Sequence, residues 1–296
     1  MTKLIQNFLL VLISSLLILI FFEIFLRIDG RYQGQANTKI NASETIWTRY
    51  NNSTEYHIHP DLKNKIEIKF DKFGARESLV KKENEIMTLG FFGDSMTENR
   101  RIENKFTFTE ILNQNASDGK IYNFGVDGFG LEQSFLHYLN KSKSINFDRV
   151  FYIFTTNDVR NTYEVNLIDR KEIQKGQIKL INIKVPFYII ILGKMHLTYL
   201  AIEAYFKFIS KTELALENFA KRFGNEFQYR EFEHRAHDQY ADALVNNILN
   251  DKIDEDAKSI INHFNLVLKN WQTEVDKRGG KFYVLLLPTE LGNKVF

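Results

Sequence analysis

Four short runs rich in β-branched and aromatic residues recur along the chain, and each stops at a polar or glycine- and proline-bearing cluster. They are Ile86-Met87-Thr88-Leu89-Gly90-Phe91-Phe92, Lys120-Ile121-Tyr122-Asn123-Phe124, Arg149-Val150-Phe151-Tyr152-Ile153-Phe154 and Lys281-Phe282-Tyr283-Val284-Leu285-Leu286-Leu287. Near-continuous apolar runs of this length fit strands buried on both faces. Helix-compatible stretches lie between them, at 106–112 and at 131–139, where Leu131, Phe135 and Leu139 share one face. Strands alternating with helices predict an α/β domain, a doubly wound parallel sheet with right-handed crossovers. Ligands of such sheets bind outside the carboxyl ends of the strands.

The first run ends in Gly93-Asp94-Ser95, which sets a serine hydroxyl where a strand gives way to a helix. The second ends in Gly125-Val126-Asp127-Gly128-Phe129-Gly130, whose backbone N–H groups can approach a ligand closely because glycine has no side chain. The third ends in Thr155-Thr156-Asn157-Asp158, which offers a side-chain amide. A serine becomes a nucleophile when a base and an oxyanion hole converge on it. The Ser95 N–H, a glycine N–H and the Asn157 amide form such a hole for ester chemistry.

Other classes are disfavoured by composition. The net charge is +2 with both signs interspersed, so there is no basic footprint for nucleic acid. Cysteine is absent, which excludes disulfides and thiolate metal sites. The acidic run Asp251, Asp254, Glu255, Asp256 lacks the glycine and spacing of a calcium loop and reads as a solvated face. No metal or other cofactor is expected.

The amino terminus is a different material. Residues 8–22 are apolar apart from Ser14 and Ser15, and the run extends past a single Glu23. Residues 1–29 read as a transmembrane signal anchor, because the 20 or so residues a span needs are present and no small-x-small cleavage site follows. Arg27, Arg31 and Lys39 outnumber Lys3 across the span, so the positive-inside count leans towards a cytoplasmic body. Residues 30–80 read as an exposed, Asn-rich lead-in with aromatic clusters at Trp47-Tyr50 and Tyr56-His59. Within it Ile66-Glu67-Ile68-Lys69-Phe70 alternates as a half-buried strand, followed by turn chemistry at Asp71-Lys72-Phe73-Gly74. The α/β domain then occupies 81–296, interrupted by a helical insertion at 160–262. Residues 187–208 are interrupted by Lys194, His196, Glu203 and Lys207, which favours an amphipathic cap helix over a second span.

The three strand-end blocks together resemble the SGNH/GDSL hydrolase family. Gly93-Asp94-Ser95-Met96-Thr97-Glu98 is similar to its first block, Asn123-Phe124-Gly125-Val126-Asp127-Gly128 to its second and Asn157-Asp158 to its third. Thr155 stands where the family usually has glycine. The resemblance implies Ser95 as nucleophile, Gly128 and Asn157 as oxyanion donors, and Asp94 and Asp158 as supporting residues. Glu23 and Arg27, Phe73-Gly74-Ala75-Arg76 and the Leu-Leu-Leu-Pro ending at Pro288 look like membrane-anchored, exported members. Some of these act on acyl groups of cell-envelope polysaccharides. It therefore implies a serine esterase or O-acyl (acetyl) transferase with an acylated carbohydrate or other ester as substrate, and a body outside the cytoplasmic membrane.

The family's last block, Asp-x-x-His, supplies the general base and should follow a fifth strand. The sequence runs eight residues past Pro288 and holds no such block there. Two expectations follow: a carboxy-terminally truncated esterase or acyltransferase, inactive in this form, or a pseudo-enzyme that binds acylated ligands. His57, His59, His137, His196, His234, His237 and His263 are the histidines present, and His234 and His237, three apart, read as exposed helix residues rather than metal ligands.

Overall fold

The computed structural model describes residues 2–29, 38–41, 45–58, 65–80, 86–116, 119–164, 167–181 and 255–287, with a few positions between 191 and 201. The chain divides into two compact units. One comprises Met1–Asn37, Tyr56–Ile58 and Val185–Arg230, and the other Thr38–Glu55, His59–Lys184 and Glu231–Phe296.

The first unit holds α1 (Thr2–Asp29). Leucine, isoleucine and phenylalanine run through it without a proline or glycine to break the backbone. Most of its apolar side chains, among them Phe8, Leu10 and Phe21, are exposed, while Leu26 near its end is buried. At 1.5 Å per residue the helix is about 42 Å long, beyond the roughly 30 Å of a bilayer's hydrocarbon core. Over Lys3–Ile28 it is long and apolar enough to cross a membrane. Within that stretch the one carboxylate, Glu23, accepts from Arg27 Nε at 2.8 Å and from the Leu197 N–H at 2.9 Å.

The second unit is an α/β domain. Its four-stranded sheet is built from β5 (Met87–Gly93), β6 (Gly119–Gly125), β7 (Arg149–Phe154) and β8 (Lys281–Leu286), all parallel and in the order β6-β5-β7-β8. Successive residues of a strand face opposite ways, and Phe91 and Phe92 show it. Phe91 packs with Ile121, Ile153 and Phe108 under α3 (Phe108–Asn115). Phe92 packs with Phe124, Phe135, Tyr152 and Trp271 under α4 (Leu131–Lys141) and the long helix α7 (Glu255–Asp276). Trp271 is fully buried, with ring centroids 5.5 Å from Phe135, 5.3 Å from Tyr152 and 5.1 Å from Phe282.

Four shorter strands precede the sheet: β1 (Thr38–Asn41), β2 (Ile46–Arg49), β3 (Thr54–Ile58) and β4 (Lys65–Lys69). β1 and β2 pair antiparallel. In β4 the predicted alternation holds, with Ile66, Ile68 and Phe70 buried and Glu67 and Lys69 exposed. The following turn closes on Asp71, whose Oδ1 accepts from the N–H groups of Phe73 and Ala75.

Two readings of the sequence need correction. The lead-in is not an exposed tether: Arg49 and Glu55 are buried, and residues 38–55 belong to the α/β unit. Nor is 160–262 wholly an insertion. Leu167, Ile168 and Ile173, the last on the short helix α6 (Arg170–Gln174), join the main core, and Ile260 in the amino-terminal part of α7 is buried with Val159 in a smaller cluster beside it. The apolar positions of 167–173 are too few to show a period, so only burial reveals them. The stretch at 187–208, the histidines His59, His196, His234 and His237, and Asp251 and Asp254 lie outside the described residues, apart from the scattered positions between 191 and 201.

Candidate active site

The strand order places the reversal of winding between β5 and β7, the first and third strands of the sheet, which is where open α/β sheets bind ligands. Gly93 pairs with Gly125 on one side and with Ile153 on the other, so three strands end level. The segments that leave them carry the residues singled out from the sequence. Ser95 opens the one-turn helix α2 (Ser95–Glu98), Gly128 lies in the turn after β6, and Asn157 opens α5 (Asn157–Glu164).

Two glycines fix how closely these segments meet. A Cβ on Gly125 would stand 2.3 Å from the Glu98 nitrogen and 2.6 Å from the Thr97 carbonyl carbon, so only glycine lets α2 lie on the end of β6. Gly128 has φ +78°, a left-handed conformation that glycine adopts without penalty.

Asp94 organises the site. Fully buried, its Oδ1 caps α2 by accepting from the Met96 N–H at 2.9 Å. Its Oδ2 accepts from Thr155 Oγ1 at 2.9 Å and from Asn157 Nδ2 at 2.8 Å. The last of these bonds crosses the β5–β7 junction and uses one of the two N–H groups of the Asn157 amide. The Ser95 N–H, the Gly128 N–H and the second Asn157 N–H have no partner among the described residues, and all three residues are half-buried. Ser95 Oγ likewise has no hydrogen-bond partner among them.

Behind Asn157, Asp158 is buried and accepts at Oδ2 from Tyr152 OH at 2.8 Å and from the Thr155 N–H at 3.0 Å, while its Oδ1 is unpaired among the described residues. Burial and the neighbouring Asp94 carboxylate push the Asp158 carboxyl well above its ordinary range. Burial first, and Asp158 second, drive the Tyr152 phenol up as well. Asn123 secures the second segment: its Nδ2 donates to the Thr97 carbonyl at 2.7 Å and its Oδ1 accepts from the Gly125 N–H at 3.0 Å.

The lead-in supplies groups with no local sequence signal. Arg49 forms a two-bond pair with Glu98, through Nε at 2.7 Å and NH2 at 2.9 Å, and reaches Glu55 at 3.2 Å. Burial alone lowers the Arg49 pKa, but the Glu98 and Glu55 carboxylates outweigh it and leave it raised. Arg76 donates to the carbonyls of Glu98, Asn99 and Ile102, and burial brings its pKa down to about 10. Glu98 Oε2 in turn accepts from the Asp127 N–H at 2.9 Å, and Trp47 Nε1 donates to the Asp127 carbonyl at 3.2 Å. Glu98 and Arg76 fall inside quoted motifs without a role there, while Arg49 and Trp47 are distant in sequence from everything they hold.

Neither histidine with a described side chain in the core meets Ser95. His137 packs edge-on against Phe92, Phe124 and Phe129, and burial lowers its pKa well below the ordinary range, so it stays neutral within the core. His263, on α7, pairs through Nε2 with buried Glu132, which also accepts from the Leu167 and Ile168 N–H groups. Among the described residues no cluster of His, Asp and Glu is arranged to hold a metal ion.

Compared with known protein families and with curated proteins, the chain matches none.

Proposed function

We propose that the chain is a membrane-anchored serine esterase or O-acyl (acetyl) transferase of the SGNH type, acting on acyl esters of cell-envelope carbohydrate. The observation that carries this reading is the set of three N–H groups, from Ser95, Gly128 and Asn157, that have no partner among the described residues and lie at the level ends of three parallel strands. Ser95 Oγ attacks the ester carbonyl carbon, and the carbonyl oxygen takes up the negative charge between those donors. Preorganised donors of this kind are worth about 3–4 kcal/mol each in the transition state. The collapse of the intermediate expels the sugar hydroxyl and leaves an acyl-serine, which water or a second hydroxyl then resolves.

The Ser95 proton needs a base. His137 is enclosed by aromatic rings and His263 is held by Glu132, so neither takes that role. An oxyanion hole and binding alone leave roughly 10³–10⁴-fold catalysis over water. In this reading α1 anchors the body outside the cytoplasmic membrane.

A second reading, an envelope protein that binds acylated ligands without turning them over, is favoured by the absence of any described partner for Ser95 Oγ. Labelling with a fluorophosphonate probe separates the two. The esterase reading expects adduct on Ser95 and none in Ser95→Ala, and the binding reading expects neither protein to be labelled.

A further inference from the structure

The Arg49–Glu98 pair lies outside the chemistry just described yet is tied to the loop that carries Gly128. Glu98 is wholly buried and one carboxylate serves two purposes, receiving the Arg49 guanidinium on both oxygens and the Asp127 N–H on Oε2. The other side of the same peptide segment is gripped by Trp47, whose indole N–H donates to the Asp127 carbonyl. Its ring lies against Phe129 at 5.9 Å, and its Cζ2 is 3.4 Å from where a Gly128 Cβ would be. Both groups on Asp127 that flank Gly128 are thus fixed, one from α2 and one from β2, while the Gly128 N–H is left free among the described residues. The turn is closed by the Phe129 N–H, which donates to the Val126 carbonyl at 3.1 Å, and that bond alone allows the central Asp127–Gly128 peptide to take either of two orientations; holding Asp127 at both N–H and C=O selects one.

We propose that Glu98, Arg49 and Trp47 are positioning residues that aim the Gly128 N–H, so that the β1–β2 hairpin is a working part of the site. Glu98 is the acceptor that sets the loop, Arg49 holds Glu98 in place, and Trp47 holds the loop from the opposite side. This inference rests on the esterase reading for its consequence in activity, but not for its geometry.

The full chain in detergent micelles, labelled with ¹⁵N-glycine and ¹⁵N-tryptophan, reads both. The sequence contains two tryptophans, and buried Trp271 reports the core while Trp47 reports the loop. In Glu98→Ala the Gly128 amide and the Trp47 indole signals move while the Trp271 indole stays, and the rate of fluorophosphonate labelling at Ser95 falls at least tenfold. Glu98→Gln keeps an oxygen for the Asp127 N–H, so its Gly128 signal returns towards wild type and its labelling rate to within about threefold of it. Gly128 and Trp47 signals unchanged in Glu98→Ala would overturn the proposal. Should Glu98→Ala lose the Trp271 signal, Trp47→Phe decides: it removes only the indole donor, and an unmoved Gly128 amide there would overturn the proposal equally. If wild type is not labelled while these signals move as stated, the esterase reading fails and the positioning geometry stands.

Discussion

Asp94 and Asp158 are neighbouring buried carboxyls with different hydrogen-bond surroundings, and amide substitution should expose the difference. Asp94 accepts three hydrogen bonds, from the Met96 N–H, Thr155 Oγ1 and Asn157 Nδ2. Asp94→Asn turns one of its oxygens into a donor that faces donors. An ordinary hydrogen bond contributes about 0.5–1.5 kcal/mol net, and a buried orphan costs about 1–3 kcal/mol, so a loss of roughly 2–4 kcal/mol is expected. Asp158, its pKa raised well above the ordinary value, keeps its proton near pH 4, with Oδ2 accepting from Tyr152 and Thr155. Asp158→Asn therefore replaces one neutral donor by another, at a cost within about 1 kcal/mol near pH 4. The pH dependence carries the sharper sign. The folded-state pKa of Asp158 is raised, so the unfolded chain releases a proton that the folded chain keeps, and the wild type loses stability as pH rises above the ordinary carboxylate pKa of about 4. Asparagine does not titrate. Between pH 5 and pH 6 the stability of Asp158→Asn relative to wild type should therefore rise, by at most about 1.4 kcal/mol for the one proton involved. Urea unfolding of the full chain in micelles, followed by Trp271 fluorescence at the two pH values, measures it. A difference that does not change with pH, or an Asp158→Asn as damaging as Asp94→Asn, would refute the assignment.

Other expectations are simpler. Asn123→Ala removes the acceptor of the Gly125 N–H and the donor to Thr97, and should lower stability by about 2–4 kcal/mol, read in the same unfolding assay, with Ser95 labelling falling in parallel. The chain should resist carbonate extraction and leave the membrane with detergent, and deletion of 2–29 should release it; added protease should cleave the body in cells with a permeabilised outer layer and an intact cytoplasmic membrane. Cleavage only after the cytoplasmic membrane is opened would reverse the proposed orientation.

The sheet was readable because its strands are apolar runs bounded by turn residues. Met87–Gly93 and Gly119–Gly125 differ from the sequence reading by a residue or two at their ends, and Arg149–Phe154 does not differ. The carboxyl-end positions of Ser95, Gly128 and Asn157 followed from the same runs. What holds them was not readable. The Asn157–Asp94 bond joins residues 63 apart, and the Arg49–Glu98 pair residues 49 apart. An arginine in a polar stretch carries no mark of burial, and a glutamate that ends a motif does not announce its partner. Likewise Glu132 and His263, 131 apart, meet only once α4 and α7 pack on the same face of the sheet.

The most direct test is fluorophosphonate labelling of the full chain in membranes, wild type against Ser95→Ala, with and without added imidazole as a diffusible base. The account predicts a single adduct on Ser95, faster with imidazole and absent in Ser95→Ala. Equal labelling of the two proteins, or no adduct on Ser95 even with imidazole, would contradict it.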